Sequence, residues 1–420
     1  MKIYDLIGIG IGPFNLSLAA LLPQVECDAL FLDDKEKFSW HQELMFEDAS
    51  MQTSYLKDLV TPVDPTSQFS FLNYLNDVGQ FYHFLNTDRK TITRIEFEAY
   101  CKWVADKLEN RLEFNSKVKE VNYTHGNFEI ITENKTFYAN KLCVASGPKK
   151  NIPPCAKPFL GKKIFHAKSK EMLNLDLTDK KVLIVGGGQT GIEILRNGIK
   201  SKWGKAHSIT LISGRDNLRP LDEGPFTNEV FTPNFVENFY ELDQVTKDDF
   251  TKNLLLASDG NTPEYLQELY NELYLEKFYK DQMPEVKISP SRWLEDINPK
   301  GDGYELCIRN LLSHQIELLD ADIVIMATGF TREIPSYLNN IKDYFKYDEN
   351  NRIIIKRDYR LETKIPNTIY AMNFSMHMHG IADPQTSLMS WRSAIIANNL
   401  MEKEIYKVHQ PRATFLNFFN

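Results

Sequence analysis

The chain has 420 residues, with 57 acidic against 49 basic side chains and a formal net charge of −8, the two signs mixed along its length. That length can bury two or three separate cores, and with no long basic block nucleic acid is excluded as an expected partner. The five cysteines, Cys27, Cys101, Cys143, Cys155 and Cys307, are scattered and form no Cys-x-x-Cys pair, which argues against a disulfide framework and a zinc site.

Leu6 to Leu22 is apolar enough to raise a signal peptide or membrane anchor. Asp5 precedes it, Lys2 is its only basic flank, and three glycines and Asn15 interrupt it. A strand from Tyr4 to Ile9, a turn at Gly10-Ile11-Gly12-Pro13 and an apolar helix from Asn15 to Leu22 account for the same residues better. Ala29 to Leu32 reads as a second strand, completing a βαβ opening. Thr93 to Leu108 has helical spacing, with Glu96 and Glu98 in its early turns. Lys117 to Asn122 and Phe128 to Thr132 form a predicted hairpin, and Lys141 to Ala145 a further strand. Lys181 to Val185 then repeats the opening, with a Gly-rich turn, a helix from Thr190 and a second strand at Ile209 to Ile212.

Asp222 to Lys280 differs in character. It is rich in Leu, Tyr, Glu and Asn, and Glu264 to Phe278 has helical periodicity. Asp322 to Ala327 is a buried strand, and Thr386 to Met401 a final helix. The expected fold is α/β, with two Rossmann-like dinucleotide-binding domains and a small, mostly helical insert. Residues 1–160 and 320–420 are assigned to the first domain, 161–221 and 281–319 to the second, and 222–280 to the insert. No stretch spans a bilayer, so a cytoplasmic chain without an integral membrane segment is expected.

Two motifs carry the chemistry. In Gly10-x-Gly12-Pro13-x-Asn15, a strand feeding a tight turn brings backbone N–H groups and a helix start against a pyrophosphate. Asp33 ends the second strand, where a carboxylate can accept ribose hydroxyls. Gly186-x-Gly188-x-x-Gly191 is the full fingerprint. Its second strand ends in Ser213-Gly214-Arg215 instead of an acid, which favours a 2′-phosphate and hence NADPH over NADH. The alternatives are a structural Gly-rich turn for the first motif and a solvated surface arginine for Arg215. Two dinucleotide sites in one chain imply hydride transfer from nicotinamide to flavin. Ala145-Ser146-Gly147 and Ala327-Thr328-Gly329 end buried strands, where small residues permit close backbone crossing.

Further motifs cover nearly the whole chain: Gly10-Ile11-Gly12-Pro13-Phe14-Asn15-Leu16-Ser17, Phe38-Ser39-Trp40-His41, Met51-Gln52-Thr53-Ser54-Tyr55-Leu56-Lys57-Asp58-Leu59, Gly186-Gly187-Gly188-Gln189-Thr190-Gly191, Ala327-Thr328-Gly329-Phe330 and His379-Gly380-Ile381-Ala382-Asp383-Pro384. With them the chain resembles the N-hydroxylating flavin monooxygenases of siderophore biosynthesis, which act on lysine, ornithine or diamines. The resemblance implies FAD at Gly10, Gly12, Pro13, Asn15, Asp33, Trp40, His41, Gly329, Ser387 and Leu388, and NADPH at Gly186, Gly188, Gln189, Gly191, Ser213 and Arg215. It implies that O2 reacts with reduced flavin to a C4a-hydroperoxide, which a deprotonated primary amine attacks, with water excluded. Gln52 is the implied catalytic residue beside flavin and amine. Lys57, Asn228, Asn261 and Ser387 are the implied substrate contacts, and a dimer or tetramer the implied assembly. L-lysine, putrescine and cadaverine are the leading substrates, with histamine and L-ornithine as alternatives.

Rival readings are a broader two-dinucleotide monooxygenase, a disulfide reductase, which lacks its Cys pair here, and a non-catalytic FAD-binding protein. His41 and His379 invite a general-base role, but flanked by Trp40 and Gly380 they read as packed structural groups. Met376-His377-Met378-His379 has one acid nearby, Asp383, and no thiolate, so no metal is expected.

Overall fold

The structure is a computed structural model and describes residues 2–23, 25–280, 282–409, 415–416 and 418. The apolar opening forms the strand Ile3–Ile9, buried in its second half as parallel strands covered on both faces are. It lies in a seven-stranded sheet ordered Leu112–Glu113, Ala29–Leu32, Ile3–Ile9, Thr136–Val144, Asn127–Thr132, Val118–Thr124, with Ile369–Ala371 also pairing Thr136–Val144. The helix Pro13–Leu21 packs between this sheet and the C-terminal helix Met389–Leu400, which is buried along most of its length. The hairpin predicted near residue 117 is present as Val118–Thr124 against Asn127–Thr132. Helix Arg94–Lys107 starts where predicted because Thr93 and Glu96 cap each other reciprocally, a capping box worth about 1 kcal/mol.

The second sheet is wholly parallel, ordered Ile164–His166, Ile323–Met326, Lys181–Val185, Ser208–Ser213, Glu285–Pro290. This corrects the expected boundary at residue 320. Ile323–Met326 pairs with Lys181–Val185, so the strand belongs to the second unit, and the chain returns to the first only afterwards. Arg292–Lys300, Gly303–Asn310 and Ile316–Ala321 form a separate three-stranded antiparallel sheet that the sequence pattern did not reveal.

The insert holds the helices Pro233–Tyr240, Gln244–Asn253, Leu256–Asp259 and Pro263–Leu275, two of them opened by a proline at the first turn. It bridges the two units. Phe235 and Phe239 bury against Ile381 of the first unit, while Tyr265 and Leu269 join the core of the second together with Leu44, Phe46 and Ala49. Among the described residues no helix is long and apolar enough to cross a membrane.

Candidate active site

Both glycine turns are shaped by backbone crowding. Gly10 has φ +92°, and a Cβ there would sit 2.7 Å from the Ala145 carbonyl oxygen. Gly186 has φ +123°, and its Cβ would sit 2.2 Å from the carbonyl oxygen of Ala327. The small-residue segments at Ala145 and Ala327 are therefore the surfaces onto which the first glycine of each turn packs.

Gly12 and Gly188 behave differently. A Cβ at either would meet nothing within 4 Å. Each precedes a helix, Pro13–Leu21 or Gln189–Ile199, and neither helix has a side-chain cap. The first-turn N–H groups are left for an outside acceptor, with open space before them, as a pyrophosphate requires. The two turns close by different means. At Gly191 a Cβ would lie 1.9 Å from the Gly186 carbonyl oxygen, so a missing side chain lets helix and turn touch. At the matching position the fully buried Asn15 donates through Nδ2 to the carbonyls of Gly10 at 2.8 Å and Ile9 at 3.3 Å.

Asp33 braces the first turn, accepting from the Ile11 N–H at 2.6 Å and the Lys35 N–H at 3.0 Å. Ser213 is buried and accepts from the Arg215 N–H at 3.2 Å, and Arg215 Nη1 donates to the Asp259 carbonyl at 2.8 Å. The arginine is thus steadied by the insert while its other guanidinium N–H groups stay uncommitted among the described residues.

The cradles meet at one junction. Gln52, on the strand Ser50–Ser54, donates through Nε2 to Thr262 Oγ1 at 3.4 Å. The Thr262 N–H donates to Gln189 Oε1 at 2.8 Å, and Gln189 Nε2 to Glu193 Oε1 at 2.9 Å. Glu193 is fully buried and takes both Arg94 guanidinium nitrogens at 2.9 Å. Burial pushes the Glu193 carboxyl up, and Arg94 opposes that. Arg94 follows the strand Thr91–Thr93, which pairs with Ser50–Ser54. Polar contacts therefore run from the first unit to the second and back, and link residue 52 to the first residue of the helix after the second fingerprint.

Residues 2–332 match the family described as L-lysine 6-monooxygenase/L-ornithine 5-monooxygenase. The chain belongs to this family. It is 36% identical to the L-lysine N6-monooxygenase of Escherichia coli over 98% of both chains. It is 29% identical to the putrescine N-hydroxylase of Acinetobacter baumannii, over 97% of this chain and 92% of that one. The FAD-bound cadaverine monooxygenase of the desferrioxamine pathway in Erwinia amylovora superposes with a TM-score of 0.90 at 26% identity, covering 100% and 99% of the two chains.

The family's remaining motif residues fall as follows. Lys57 is half-buried, burial lowers its pKa, and its ammonium has no carboxylate partner among the described residues. Its neighbour Asp58 is unavailable to it, being buried and committed to the N–H groups of Val60, Thr61 and Phe71 and the Thr61 hydroxyl. Ser387 and Leu388 form the turn that opens Met389–Leu400, and the buried Ser387 Oγ has no partner among the described residues. An orphaned hydroxyl there suits a bound group that completes it. The Trp40 N–H donates to Glu98 at 2.8 Å, and its ring meets Phe97 and His41 edge-on. Burial, then Lys168, Arg94 and Lys35, hold the His41 ring neutral, well below the usual histidine range. Asn228 is exposed in the turn Thr227–Phe231, its N–H bonded to the Gly224 carbonyl.

Asn261 uses its amide NH2 within the fold, and its buried Oδ1 has no partner among the described residues. Its side chain, expected on the substrate, is fully buried and donates to the carbonyls of Gly187 at 3.1 Å and Arg219 at 3.0 Å. It ties the insert to the second glycine turn. His379 lies between the Ser375 hydroxyl and the Arg357 carbonyl and stacks on Tyr359, while His377 bonds the Ile353 carbonyl. Both ring nitrogens of His379 are thus engaged within the fold.

Sequence reasoning missed Thr262, Glu193, Arg94 and His166. For Glu193 the signal was available, since it and Arg196 are charges inside the apolar run Gly191-Ile192-Glu193-Ile194-Leu195-Arg196. His166 accepts the Lys168 N–H at Nδ1 and bonds the Gly329 carbonyl through Nε2 at 3.0 Å, an arrangement only a neutral ring satisfies. Burial lowers its pKa to about 4. Between pH 6.5 and about 4 the unfolded chain holds a proton here that the folded chain does not, so stability is lost as pH falls through that window. Urea unfolding at stepped pH should show this loss in the wild type and a flatter profile in His166→Gln; identical profiles would refute it.

Proposed function

We propose that this chain hydroxylates the terminal amine of L-lysine, with FAD and NADPH, as a step in making an iron-chelating siderophore. The observation that carries the reading is the junction Gln52–Thr262–Gln189, which ties a residue of the first unit to the start of the helix after the second glycine turn. Gly12, Asn15 and Asp33 would hold FAD. Gly188, Ser213 and Arg215 would hold NADPH, the arginine on the 2′-phosphate. When bound, the flavin, reduced by NADPH, supplies the activated oxygen.

The chain's own groups do the rest. The reacting nitrogen needs a lone pair, and its ordinary pKa is about 10.4. Excluding water from the amine disfavours its ammonium form by desolvation. The Gln52 amide oxygen accepts one amine N–H and leaves the lone pair free. Lys57 would pair with the carboxylate of an amino-acid substrate, and the relation to the E. coli enzyme at 36% identity is what favours L-lysine over a diamine. The reading includes a cytoplasmic homo-oligomer.

The test is an NADPH-dependent assay over L-lysine, L-ornithine, putrescine, cadaverine and histamine that scores hydroxylamine against peroxide. L-lysine should give coupled hydroxylamine; peroxide alone with every amine would end the reading. Lys57→Met should raise KM for L-lysine roughly tenfold to a hundredfold, the worth of a charged hydrogen bond. KM for cadaverine, if it is turned over, should change far less. Equal changes for both would remove the carboxylate role.

A further inference from the structure

Resting on the reading above, we propose that Thr262 is a positioning residue for amine oxidation: its hydroxyl takes the Gln52 amide N–H, so that the amide oxygen is the group left facing the substrate nitrogen.

Thr262 is the residue before the helix Pro263–Leu275. A threonine there ordinarily turns its hydroxyl back to accept an N–H of its own first turn. Here it caps nothing, and the hydroxyl meets Gln52 Nε2 instead, at 3.4 Å. The local helix gains nothing from this arrangement. The group that gains is a glutamine from another unit.

The placement is enforced from the other side. Arg94 donates both guanidinium arms to Glu193, so Gln189, which shares that carboxylate, must present its NH2 to it. The Gln189 amide oxygen is then the end left for the Thr262 N–H. A buried ion pair thus sets the polarity of each link up to the Thr262 backbone. Gln189 is also the first residue of the helix whose start forms the second cradle, so the position of Thr262 follows that of the cradle.

The chemistry explains why polarity matters. A neutral primary amine has two N–H donors and one lone pair. The lone pair must stay free for oxygen, so the facing protein group has to be an acceptor. Glutamine carries both an acceptor and a donor end, and a partner for its NH2 fixes which end faces the amine. Thr262 Oγ1 is the partner the structure gives that NH2.

The experiment compares wild type, Thr262→Val and Thr262→Ser with L-lysine, normalised to bound flavin, and measures hydroxylamine and peroxide per NADPH consumed. Val keeps the branched shape and deletes the hydroxyl; Ser restores the hydroxyl without the methyl. We expect Thr262→Val to lose at least fivefold in hydroxylamine per NADPH, with peroxide making up the difference, and Thr262→Ser to stay within twofold of wild type. A Val variant coupled like wild type overturns the proposal. So does a Ser variant as uncoupled as Val, which would make the methyl the relevant group. A wild type yielding no hydroxylamine from any amine would instead bring down the functional reading itself.

Discussion

Glu193→Leu is expected to lower the unfolding free energy by about 3–5 kcal/mol, the cost of removing one partner from a buried ion pair. The reason lies in what remains. The side chain of Arg94 is 15% exposed and that of Glu193 0%, so the leucine variant strands a guanidinium with only the Leu44 carbonyl for company among the described residues. Gln189 loses its acceptor as well. The double variant Arg94→Met, Glu193→Leu removes both charges and should recover most of the loss, because an apolar pair of similar volume is close to neutral against a buried salt bridge. Urea denaturation of the two single variants and the double variant measures the coupling. Additive losses would mean that the pair does not act as a unit. The double variant should fold yet remain poorly coupled, since the polarity that sets Gln189 and Thr262 is gone.

Gly12→Val is expected to yield a folded, colourless protein that binds FAD at least a hundredfold more weakly, about 2.7 kcal/mol. A Cβ at Gly12 touches no protein atom within 4 Å, and its φ of −93° with ψ of 179° suits a branched residue. The apoprotein should melt where wild-type apoprotein melts, and the new methyls fill only the space before the helix start. Gly10→Val makes the contrast. There a Cβ falls 2.7 Å from the Ala145 carbonyl oxygen at φ +92°, so the apoprotein itself is destabilised. Thermal melts of both apoproteins, with flavin absorbance after reconstitution, separate the two cases. If Gly12→Val held flavin normally, the open space at Gly12 would not be the pyrophosphate site.

The site was legible in unequal parts. Both turns could be read from the sequence because their requirements are local: a positive φ at Gly10 and Gly186, empty space at Gly12 and Gly188, a helix immediately after. Asn15 stands where the full fingerprint has its third glycine, and the structure shows how it serves there, in two hydrogen bonds to the turn. Residue type alone did not say where the Asn261 amide is aimed. It sits in the insert as expected, yet packing turns it inward onto Gly187. The domain boundary failed similarly. The apolar run Ile323–Met326 is compatible with either parallel sheet, and only the pairing with Lys181–Val185 decides between them.

By itself the sequence determined the two βαβ units, the pyrophosphate turns, the capped helix at Thr93 and the helical character of the insert. Each depends on backbone conformation and periodicity over a few consecutive residues. Only the tertiary structure decided which strand joins which sheet, that Arg94 meets Glu193 across 99 positions of chain, and that Thr262 stands between Gln52 and Gln189. Those contacts join segments far apart in the chain. Their energies come from burial and from matched donors and acceptors, which exist only once both units and the insert have closed on one another.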